Sequence, residues 1–389
     1  MQPLVRAAID ALPGSRIREV ANAGIGRSDV LAFWFGESDE VTPEPVRAAA
    51  AQSLAAGETF YSHNLGLAEL RQAIAAYGSG LHGGLDVERV AVTSSGVSAL
   101  MVAMQMLVGA GDEVVAVVPV WPNLTAQPAI LGASVARVPL RPQGGVWGLD
   151  LDELLARVTP RTRVLLVNAP NNPTGWTLTR AEQQAILDHC RRTGTWILAD
   201  EVYERLWFGA DDGRGCAPSF LDVASDDDRL VVVHSFSKSF LMTGWRLGWL
   251  VLPRGQLDAV GKLLEFNSSC APVFVQRGGL AALAGAAQSV PAMVASLRAC
   301  RDRLLTGLQA LPGVTAALPD AGLYAFFRVD GQDDSLALAK TLVREHGLGL
   351  APGVAFGPEG EGWLRWCFAS RDPARLDAGL QRLAAALRL

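Results

Sequence analysis

The sequence predicts an α/β fold in which a mostly parallel central sheet is flanked by helices, with a smaller α+β domain beside it. Short β-branched runs alternate with helical patterns through the middle of the chain, an order typical of parallel sheets covered by helices. From about Pro291 the pattern changes to long helices with few strands. The 389 residues, half of them hydrophobic, suffice for two domains with a large core. We expect an arm and part of the small domain at 1–40, a large domain at 41–290 and a small domain at 291–389.

The predicted strands are short runs rich in valine, isoleucine and leucine. Helices are predicted at Gly96–Leu107 and at Thr179–Arg192, where Thr179 and Glu182 have the spacing of a capping box. In open α/β sheets ligands bind beyond the carboxyl ends of the strands, so the residues just after these runs are the functional candidates. Strands are predicted at Val90–Thr93, Glu113–Val118, Val135–Leu140, Val164–Asn168, Thr195–Ala199, Leu230–His234, Arg246–Val251, Tyr324–Val329 and Trp363–Phe368.

Charge, cysteine and histidine usage argue against several classes of function. The net charge is −5 and no basic stripe is present, so we expect no nucleic-acid partner. The five cysteines are scattered and form no CxxC pair, which indicates free thiols in a reducing compartment, and we expect a cytoplasmic protein. The five histidines show no ligand spacing, so we expect no metal.

Two uncharged stretches are long enough to cross a membrane. Val114–Ala136 is interrupted by three prolines, and Gly278–Leu297 is composed mostly of alanine, glycine and serine, so neither predicts a span. Near the N-terminus, Arg6 and Asp10 interrupt any apolar run, which argues against a signal peptide. We therefore expect no membrane partner.

Lys238 is the most informative single residue. The chain has 34 lysines plus arginines but only three lysines, and this one lies between serines with apolar residues beyond them. A neutral amine can attack a carbonyl and form a Schiff base, whereas a guanidinium stays protonated. Because the chain uses arginine almost everywhere else, a lysine here indicates a nucleophilic amine; the alternative is a chance lysine on a loop.

Three other segments follow predicted strands. Asp200 ends one strand and precedes Tyr203; such an acid can pair with a protonated ring nitrogen or simply cap the next helix. Asn168–Gly175 follows another strand and has the composition of a turn, although a plain turn does not require the whole octet. Ser94–Ser98 opens a helix, where small residues let backbone amides meet a phosphate, although serine N-caps are common.

Further side chains extend this pattern. Arg246 and the serines around Lys238 add a positive charge and hydroxyl donors for the same phosphate. Trp121, in Pro119-Val120-Trp121-Pro122, has a ring suited to stacking on a flat ligand, although most tryptophans are core or interface residues.

Together these segments resemble the class I/II pyridoxal-phosphate-dependent aminotransferases of fold type I. The resemblance runs from about Gly36 to Ser370 and includes Gly36–Asp39 and Leu364–Ser370, with order, spacing and residue type in agreement. It implies the transferase fold of that type, pyridoxal 5'-phosphate as the cofactor, and an amino acid and a 2-oxo acid as substrates. It also implies a homodimer with shared active sites and a ping-pong, Schiff-base mechanism.

The resemblance implies a catalytic or ring-binding role for four residues. Lys238 would form the Schiff base with the cofactor aldehyde and later move the proton from the substrate Cα. Asp200 would keep the pyridine nitrogen protonated, so that the ring accepts electrons. Asn172 and Tyr203 would hydrogen-bond the phenolic oxygen of the ring.

It also implies contacts to the substrate and the phosphate. Arg365 would bind the substrate α-carboxylate as a planar fork, with Gly36 and Asn172 beside it. Trp121 would stack on the cofactor ring, and Tyr61 would reach the phosphate of a neighbouring subunit. The remaining phosphate contacts would come from Gly96, Val97, Ser98, Ser235, Ser237 and Arg246.

The substrate is less defined than the family. Some aspartate-specific relatives carry a lysine where this chain has Val97, which weakens a dicarboxylate assignment without excluding it. Val354 replaces a serine common in a loop expected to face the substrate. Phe33, Trp34 and Phe35 form either an apolar side-chain pocket or a hydrophobic segment packed on the core. We favour a hydrophobic or aromatic amino acid.

Two other functions use the same pattern. A carbon–sulfur β-lyase or related elimination enzyme would share the lysine, aspartate and arginine, so the motifs do not separate it from an aminotransferase. A pyridoxal-phosphate-sensing regulator would add a DNA-binding segment, and this sequence contains no helix-turn-helix pattern or basic region. The aminotransferase is therefore the favoured prediction.

Overall fold

A computed structural model describes residues 5–210 and 212–387. Its strands are β1 Leu31–Ala32, β2 Val90–Thr93, β3 Glu113–Val118, β4 Ser134–Gln143, β5 Val146–Leu149, β6 Thr162–Asn168, β7 Trp196–Asp200, β8 Leu230–Ser235, β9 Gly248–Val251, β10 Val314–Ala316, β11 Tyr324–Val329, β12 Leu348–Gly349, β13 Ala351–Pro352 and β14 Trp363–Cys367. Its α-helices are α1 Ala7–Asp10, α2 Arg16–Asn22, α3 Glu44–Ala55, α4 Ala68–His82, α5 Gly96–Leu107, α6 Asn123–Ile130, α7 Leu151–Arg157, α8 Arg180–Thr193, α9 Leu257–Ser268, α10 Val273–Ala284, α11 Ala286–Gln309, α12 Ser335–His346 and α13 Ala374–Ala386.

The central sheet has eight strands in the order β2-β9-β8-β7-β6-β3-β4-β5. Strands β8, β7, β6, β3 and β4 are parallel, whereas β9 runs antiparallel to both of its neighbours and β5 forms a hairpin with β4. The mostly parallel α/β fold predicted from the sequence is confirmed. As a result, β2, β8, β7 and β6 all end at the same edge of the sheet.

Both faces of this sheet are buried, which explains its continuous apolar runs. Alternate residues of one strand belong to two separate hydrophobic clusters: Val115 and Val117 lie in one, and Val114, Ala116 and Val118 in the other. A strand with one face exposed to solvent would alternate apolar and polar residues instead. Helices therefore cover the sheet on both sides.

A second, antiparallel sheet of the order β10-β11-β14-β13 lies in the C-terminal part of the chain. The N-terminal segment joins this part, because β1 pairs in parallel with β12. Helix α11 runs without a break through the predicted boundary at 290/291. The division into domains at 40 and 290 stays a prediction.

Most predicted element bounds agree with the structure within two residues, and the capping box of Thr179 and Glu182 is present at the start of α8. The strand predicted at Arg246–Val251 begins only at Gly248, because Arg246 has a left-handed backbone (φ +57°). Over the described residues, no single helix is both long and apolar enough to cross a membrane. Only α10 and α11 together reach that length and composition, as a pair bent by 77°.

Candidate active site

A cavity of about 490 Å³ opens at the carboxyl edge of the central sheet. Three neighbouring strands deliver their last residues to it: Asn168 from β6, Asp200 from β7 and Ser235 from β8. In the sheet register Asn168 lies directly beside Asp200. The topology therefore gathers polar side chains that are far apart in the sequence.

Lys238 follows β8 by three residues and lines the cavity. Its Nζ donates a hydrogen bond to the carbonyl oxygen of Gly36 at 2.6 Å and lies 5.7 Å from the centre of the Tyr203 ring. Burial of the amine lowers the pKa of Lys238 to about 8. A substantial neutral fraction is therefore present near pH 8, as a nucleophile or general base requires.

Asp200 is only 2% exposed. One carboxylate oxygen accepts a hydrogen bond from the Val202 backbone N–H at 3.3 Å. Burial raises the pKa of Asp200 to about 7, against smaller lowering effects of this hydrogen bond and of the Lys238 charge. A buried carboxylate facing a cavity with so little compensation is suited to receive a cationic group from a ligand.

Asn168 and Asn172 fix the loop that follows β6. The Asn168 amide donates to the Asp200 carbonyl oxygen at 3.1 Å, and its Oδ1 accepts from the Asn172 backbone N–H at 2.8 Å. These bonds hold the Asn172 side chain in the cavity wall. The asparagine-rich octet is thus more than a generic turn.

Arg365, on β14, forms the opposite wall. Its guanidinium donates to Asn172 Oδ1 at 2.9 Å and to the Trp34 carbonyl oxygen, and its central carbon lies 4.3 Å and 4.8 Å from the ring centres of Tyr324 and Phe356. Its Nε is buried and has no hydrogen-bond partner among the described residues. These contacts hold the guanidinium in place and leave one of its N–H donors unused, so it is suited to bind a carboxylate.

The amino end of α5 supplies backbone N–H groups at the cavity floor. Ser95 is the N-cap, and its Oγ accepts from the Ser98 backbone N–H at 3.0 Å, so that donor is already used. Gly96 and Val97 line the cavity, and Ser98 is not among the lining residues. The helix terminus therefore faces the cavity mainly through Gly96 and Val97.

Two hydroxyls and a guanidinium lie beside this helix end. Ser235 Oγ accepts from the Ser237 backbone N–H at 3.1 Å and lies 3.0 Å from Ser237 Oγ. Arg246 donates to the Thr243 carbonyl oxygen at 2.5 Å and approaches Ser237 Oγ at 3.5 Å. Together with the α5 amides, these groups form a cradle for an anion such as a phosphate.

Tyr324, the first residue of β11, is a site residue that the sequence reasoning missed. Its hydroxyl lies 2.7 Å from that of Tyr203, and a Cβ on Gly36 would come within 1.9 Å of it. Burial raises the pKa of Tyr203 well above its usual value and that of Tyr324 to about 12, so both stay protonated. The close approach explains why residue 36 is a glycine.

The cavity brings together most of the predicted site residues, but two lie elsewhere. Ser98 does not line the cavity and its backbone N–H donates to Ser95 Oγ, and Tyr61 is 88% exposed on the surface. The predicted residues that line the cavity are Gly36, Gly96, Val97, Trp121, Asn172, Asp200, Tyr203, Ser235, Ser237, Lys238, Arg246 and Arg365. The lining residues that were missed are Ile17, Arg18, Glu37, Leu100, Asn168, Val202, Thr243 and Tyr324.

The aromatic segment before Gly36 divides between core and cavity. Phe33 and Trp34 are each 4% exposed and belong to the hydrophobic core, while Phe35 lines the cavity. The loop that carries Val354 reaches the site through Phe356, under Arg365, and Val354 is not among the lining residues. Neither Phe33 nor Trp34 therefore contributes its side chain to an apolar substrate pocket.

A buried polar cluster lies below the cavity. Glu201, Glu204 and His234 are close enough to hold a metal ion. However, Glu204 already pairs with His82 at 3.0 Å, and Glu201 accepts from the Phe220 backbone N–H and the Ser219 hydroxyl. These acids are organised as ion pairs and hydrogen bonds. The prediction of no metal stays a prediction.

Comparison with known proteins agrees with this geometry. The chain matches the family Aminotransferase class I and II over residues 29–383. It is 35% identical to the arginine–pyruvate transaminase AruH of Pseudomonas aeruginosa over 341 residues (87% of this chain and 85% of that protein), and 29% identical to the aromatic-amino-acid aminotransferase 2 of Thermococcus litoralis (96% of each). The crystal structure of the aspartate aminotransferase of Thermotoga maritima superposes with a TM-score of 0.90 at 31% identity, covering 99% of this chain and 100% of that one.

A fold-type I sheet with a lysine, an aspartate and an arginine around one cavity defines an aminotransferase-like enzyme. This chain belongs to the class I and II aminotransferase family, and it is an aminotransferase. Members of the family generally depend on pyridoxal phosphate. The relatives named above act on arginine, aromatic and aspartate substrates, so family membership leaves the amino donor open.

Proposed function

We propose that this enzyme uses pyridoxal 5'-phosphate to move an amino group between an L-amino acid, preferably hydrophobic or aromatic, and a 2-oxo acid by a ping-pong mechanism. One observation carries the proposal. The enclosed Lys238 amine, with its pKa lowered to about 8, shares a cavity with the buried Asp200 carboxylate and the guanidinium of Arg365.

The residues present fit this cofactor. Asp200 offers a buried carboxylate for the protonated ring nitrogen, and Trp121 and Tyr203 lie in the wall of the same cavity. The anion cradle of Gly96, Val97, Ser235, Ser237 and Arg246 suits the phosphate. The predicted contact from Ser98 is left out of the proposal, because its backbone N–H is already used at the helix cap. When bound, the cofactor supplies an electron sink for the substrate carbanion.

The chain's own residues bind the substrate and move its proton. Arg365 binds the α-carboxylate through its free Nε–H and its neighbouring N–H groups. The neutral Lys238 amine takes the proton from the substrate Cα and returns it, which requires the lowered pKa. The Gly36 carbonyl oxygen positions that amine, at 2.6 Å from Nζ.

The preference for a hydrophobic or aromatic side chain rests on the apolar part of the lining. Ile17, Phe35 and Leu100 line the cavity, and Val97 places no charge beside the phosphate cradle. Apolar area of this kind is worth roughly 25 cal/mol per Å² that the substrate buries. The preference would be wrong if aspartate reacted far faster than phenylalanine or leucine.

A homodimer with shared sites is proposed from the surface around Tyr61. Phe60, Tyr61 and Phe266 are 83%, 88% and 89% exposed, and Phe266 lines one surface cavity with His63, which follows Tyr61 by two residues. Covering them with a second copy would bury the rings and bring Tyr61 to the neighbour's phosphate. A cytoplasmic location, expected from the unpaired cysteines, is part of the same proposal.

Single-turnover spectroscopy tests the proposed reaction. The cofactor-loaded enzyme receives one amino acid at a time without a 2-oxo acid, and absorbance and keto-acid release are followed. We expect the visible cofactor band to convert to a near-ultraviolet band with one keto acid per site, fastest for hydrophobic or aromatic donors. Continuous pyruvate and ammonia from cystathionine, with the visible band retained, would instead identify a lyase.

A further inference from the structure

The cavity contains one cation that the proposed reaction does not use. Arg18, on the short helix α2, lines the cavity from the exposed side. Its guanidinium carbon lies 5.4 Å from the centre of the Phe35 ring, which also lines the cavity. The guanidinium has no hydrogen bond or ion pair with any residue in 5–210 or 212–387.

The charged neighbours of Arg18 on α2 are paired, in contrast. Arg16 donates to Glu19 at 2.7 Å, and Lys340 pairs with the other oxygen of the same carboxylate. Arg18 stands next to Glu19 in the sequence, but it faces the cavity and leaves that acid to the other two cations. Arg18 therefore has no acidic partner among the described residues because its side chain faces the cavity, although an acidic residue is adjacent in the sequence.

Arg18 differs from the other charged residues that line the cavity. Among the lining cations, Lys238 donates to Gly36, Arg365 donates to Asn172, and Arg246 belongs to the phosphate cradle. Of the two lining acids, Asp200 is assigned to the cofactor ring, and Glu37 accepts a hydrogen bond from the Thr243 hydroxyl at 2.9 Å. Arg18 is therefore the one lining cation whose side chain has neither a hydrogen bond within the described part of the chain nor a role in the proposed reaction.

The position of Arg18 suits a contact with the end of the substrate that lies away from its α-carboxylate. Trp34, whose carbonyl oxygen anchors Arg365, is bonded to Phe35, and Phe35 carries the Arg18 guanidinium on its ring. A substrate held by its α-carboxylate on Arg365 would extend its side chain along Phe35 toward Arg18. Val97 is uncharged, and Arg18 is the lining cation that stacks on Phe35.

We propose that Arg18 determines specificity for a dicarboxylic 2-oxo acid as the amino acceptor, by binding its distal carboxylate. The inference rests on the proposed function. Both half-reactions of a ping-pong enzyme use one site, so that site must take two different side chains in turn. The Phe35 ring supplies the surface for an apolar donor, and the Arg18 guanidinium supplies a planar fork for the second carboxylate of the acceptor.

Acceptor kinetics of Arg18→Leu, with Arg16→Leu as the matched control on the same helix, test this assignment. We expect kcat/KM for 2-oxoglutarate to fall about tenfold in Arg18→Leu, as for loss of a charge-assisted hydrogen bond, and to recover partly in Arg18→Lys. The value for pyruvate should stay within about twofold, since pyruvate has no distal carboxylate. Arg16→Leu should leave both values unchanged.

A binding measurement on the cofactor-loaded enzyme separates charge recognition from structure. Glutarate should bind the wild type more tightly than butyrate, and this preference should disappear in Arg18→Leu and weaken with added salt. The proposal is overturned if Arg18→Leu lowers both acceptors equally, or leaves 2-oxoglutarate unaffected. If the wild type transaminates no acceptor at all, the proposed function fails instead, which is a different result.

Discussion

At the scale of single residues, burial shifts two pKa values in opposite directions, and both shifts serve the proposed chemistry. It lowers the pKa of Lys238 to about 8 and raises that of Asp200 to about 7. A neutral amine is then available as a base, and the carboxyl group becomes a strong partner for a ring cation. Pairs of groups whose pKa values are displaced in this way are typical of catalytic sites.

Asp200→Asn should stabilise the cofactor-free protein at pH 8 while nearly abolishing transamination. Because the folded-state pKa of Asp200 is raised, its contribution to stability is present below about pH 4 and is lost as pH rises through 7. Removing the charge should raise the free energy of unfolding at pH 8 by a value on the order of 2–4 kcal/mol, with little change at pH 4.

Urea unfolding of the cofactor-free proteins at both pH values measures this difference. Asp188→Asn, at a half-buried acid on α8 whose ion pair with Arg191 is open to solvent, is the control and should change stability little at either pH. A cofactor-free Asp200→Asn protein that is less stable than the wild type at pH 8 would contradict the assignment.

At the scale of elements, the contact between β9 and the start of α5 shapes the phosphate cradle. A Cβ on Gly248, the first residue of β9, would lie 2.6 Å from the Gly96 nitrogen and 2.8 Å from the Ser95 carbonyl carbon. Both neighbours are backbone atoms that cannot rotate away. The helix end would have to move, and with it the N–H groups that face the cavity.

Gly248→Ala should therefore weaken cofactor binding, by about tenfold or more for a displaced set of phosphate hydrogen bonds. Gly244→Ala is the matched control, because a Cβ there meets nothing within 4 Å. Equilibrium titration of the cofactor-free proteins gives both dissociation constants. Equal values for Gly248→Ala and Gly244→Ala would show that the contact does not position the cradle.

Element bounds were predictable where one local pattern dominates. The strand Val90–Thr93 and the helix Gly96–Leu107 appear as predicted, because an apolar run and a serine cap define them locally. Arg246 was placed in a strand because its neighbours resemble one, yet its φ is +57°. That conformation costs an arginine about 1 kcal/mol and depends on contacts that periodicity does not report.

At the scale of the whole molecule, the chain forms most of a site but leaves two predicted contributors, Ser98 and Tyr61, outside the cavity lining. Tyr61 is 88% exposed and does not line the cavity of its own chain, as expected for a residue that serves a second subunit. In the same way, Tyr324 and Arg18 could not be found from local sequence. They reach the cavity through the tertiary packing of the C-terminal part, where β11 belongs to the second sheet and α2 packs against β13 and α12.

Mixed subunits test whether Tyr61 acts across an interface. Tyr61→Ala should bind the cofactor several-fold more weakly, and Lys238→Ala should be inactive while retaining a normal Tyr61. Mixing the two under conditions that allow subunit exchange should restore tight cofactor binding and activity to part of the sites. In a mixed dimer, Tyr61 of the Lys238→Ala chain can contact the cofactor bound by the Tyr61→Ala chain. Failure to complement, with dimers present by light scattering, would place Tyr61 outside the shared site.

The central claim is that Lys238 binds the cofactor and moves the substrate proton. The most direct measurement is the absorbance spectrum of the wild type and of Lys238→Ala after pyridoxal phosphate is added and excess removed. We expect a visible band in the wild type that borohydride reduction fixes to residue 238, and transamination at least about 10³-fold lower in Lys238→Ala. A wild-type protein without that band, or an active Lys238→Ala, would contradict the account.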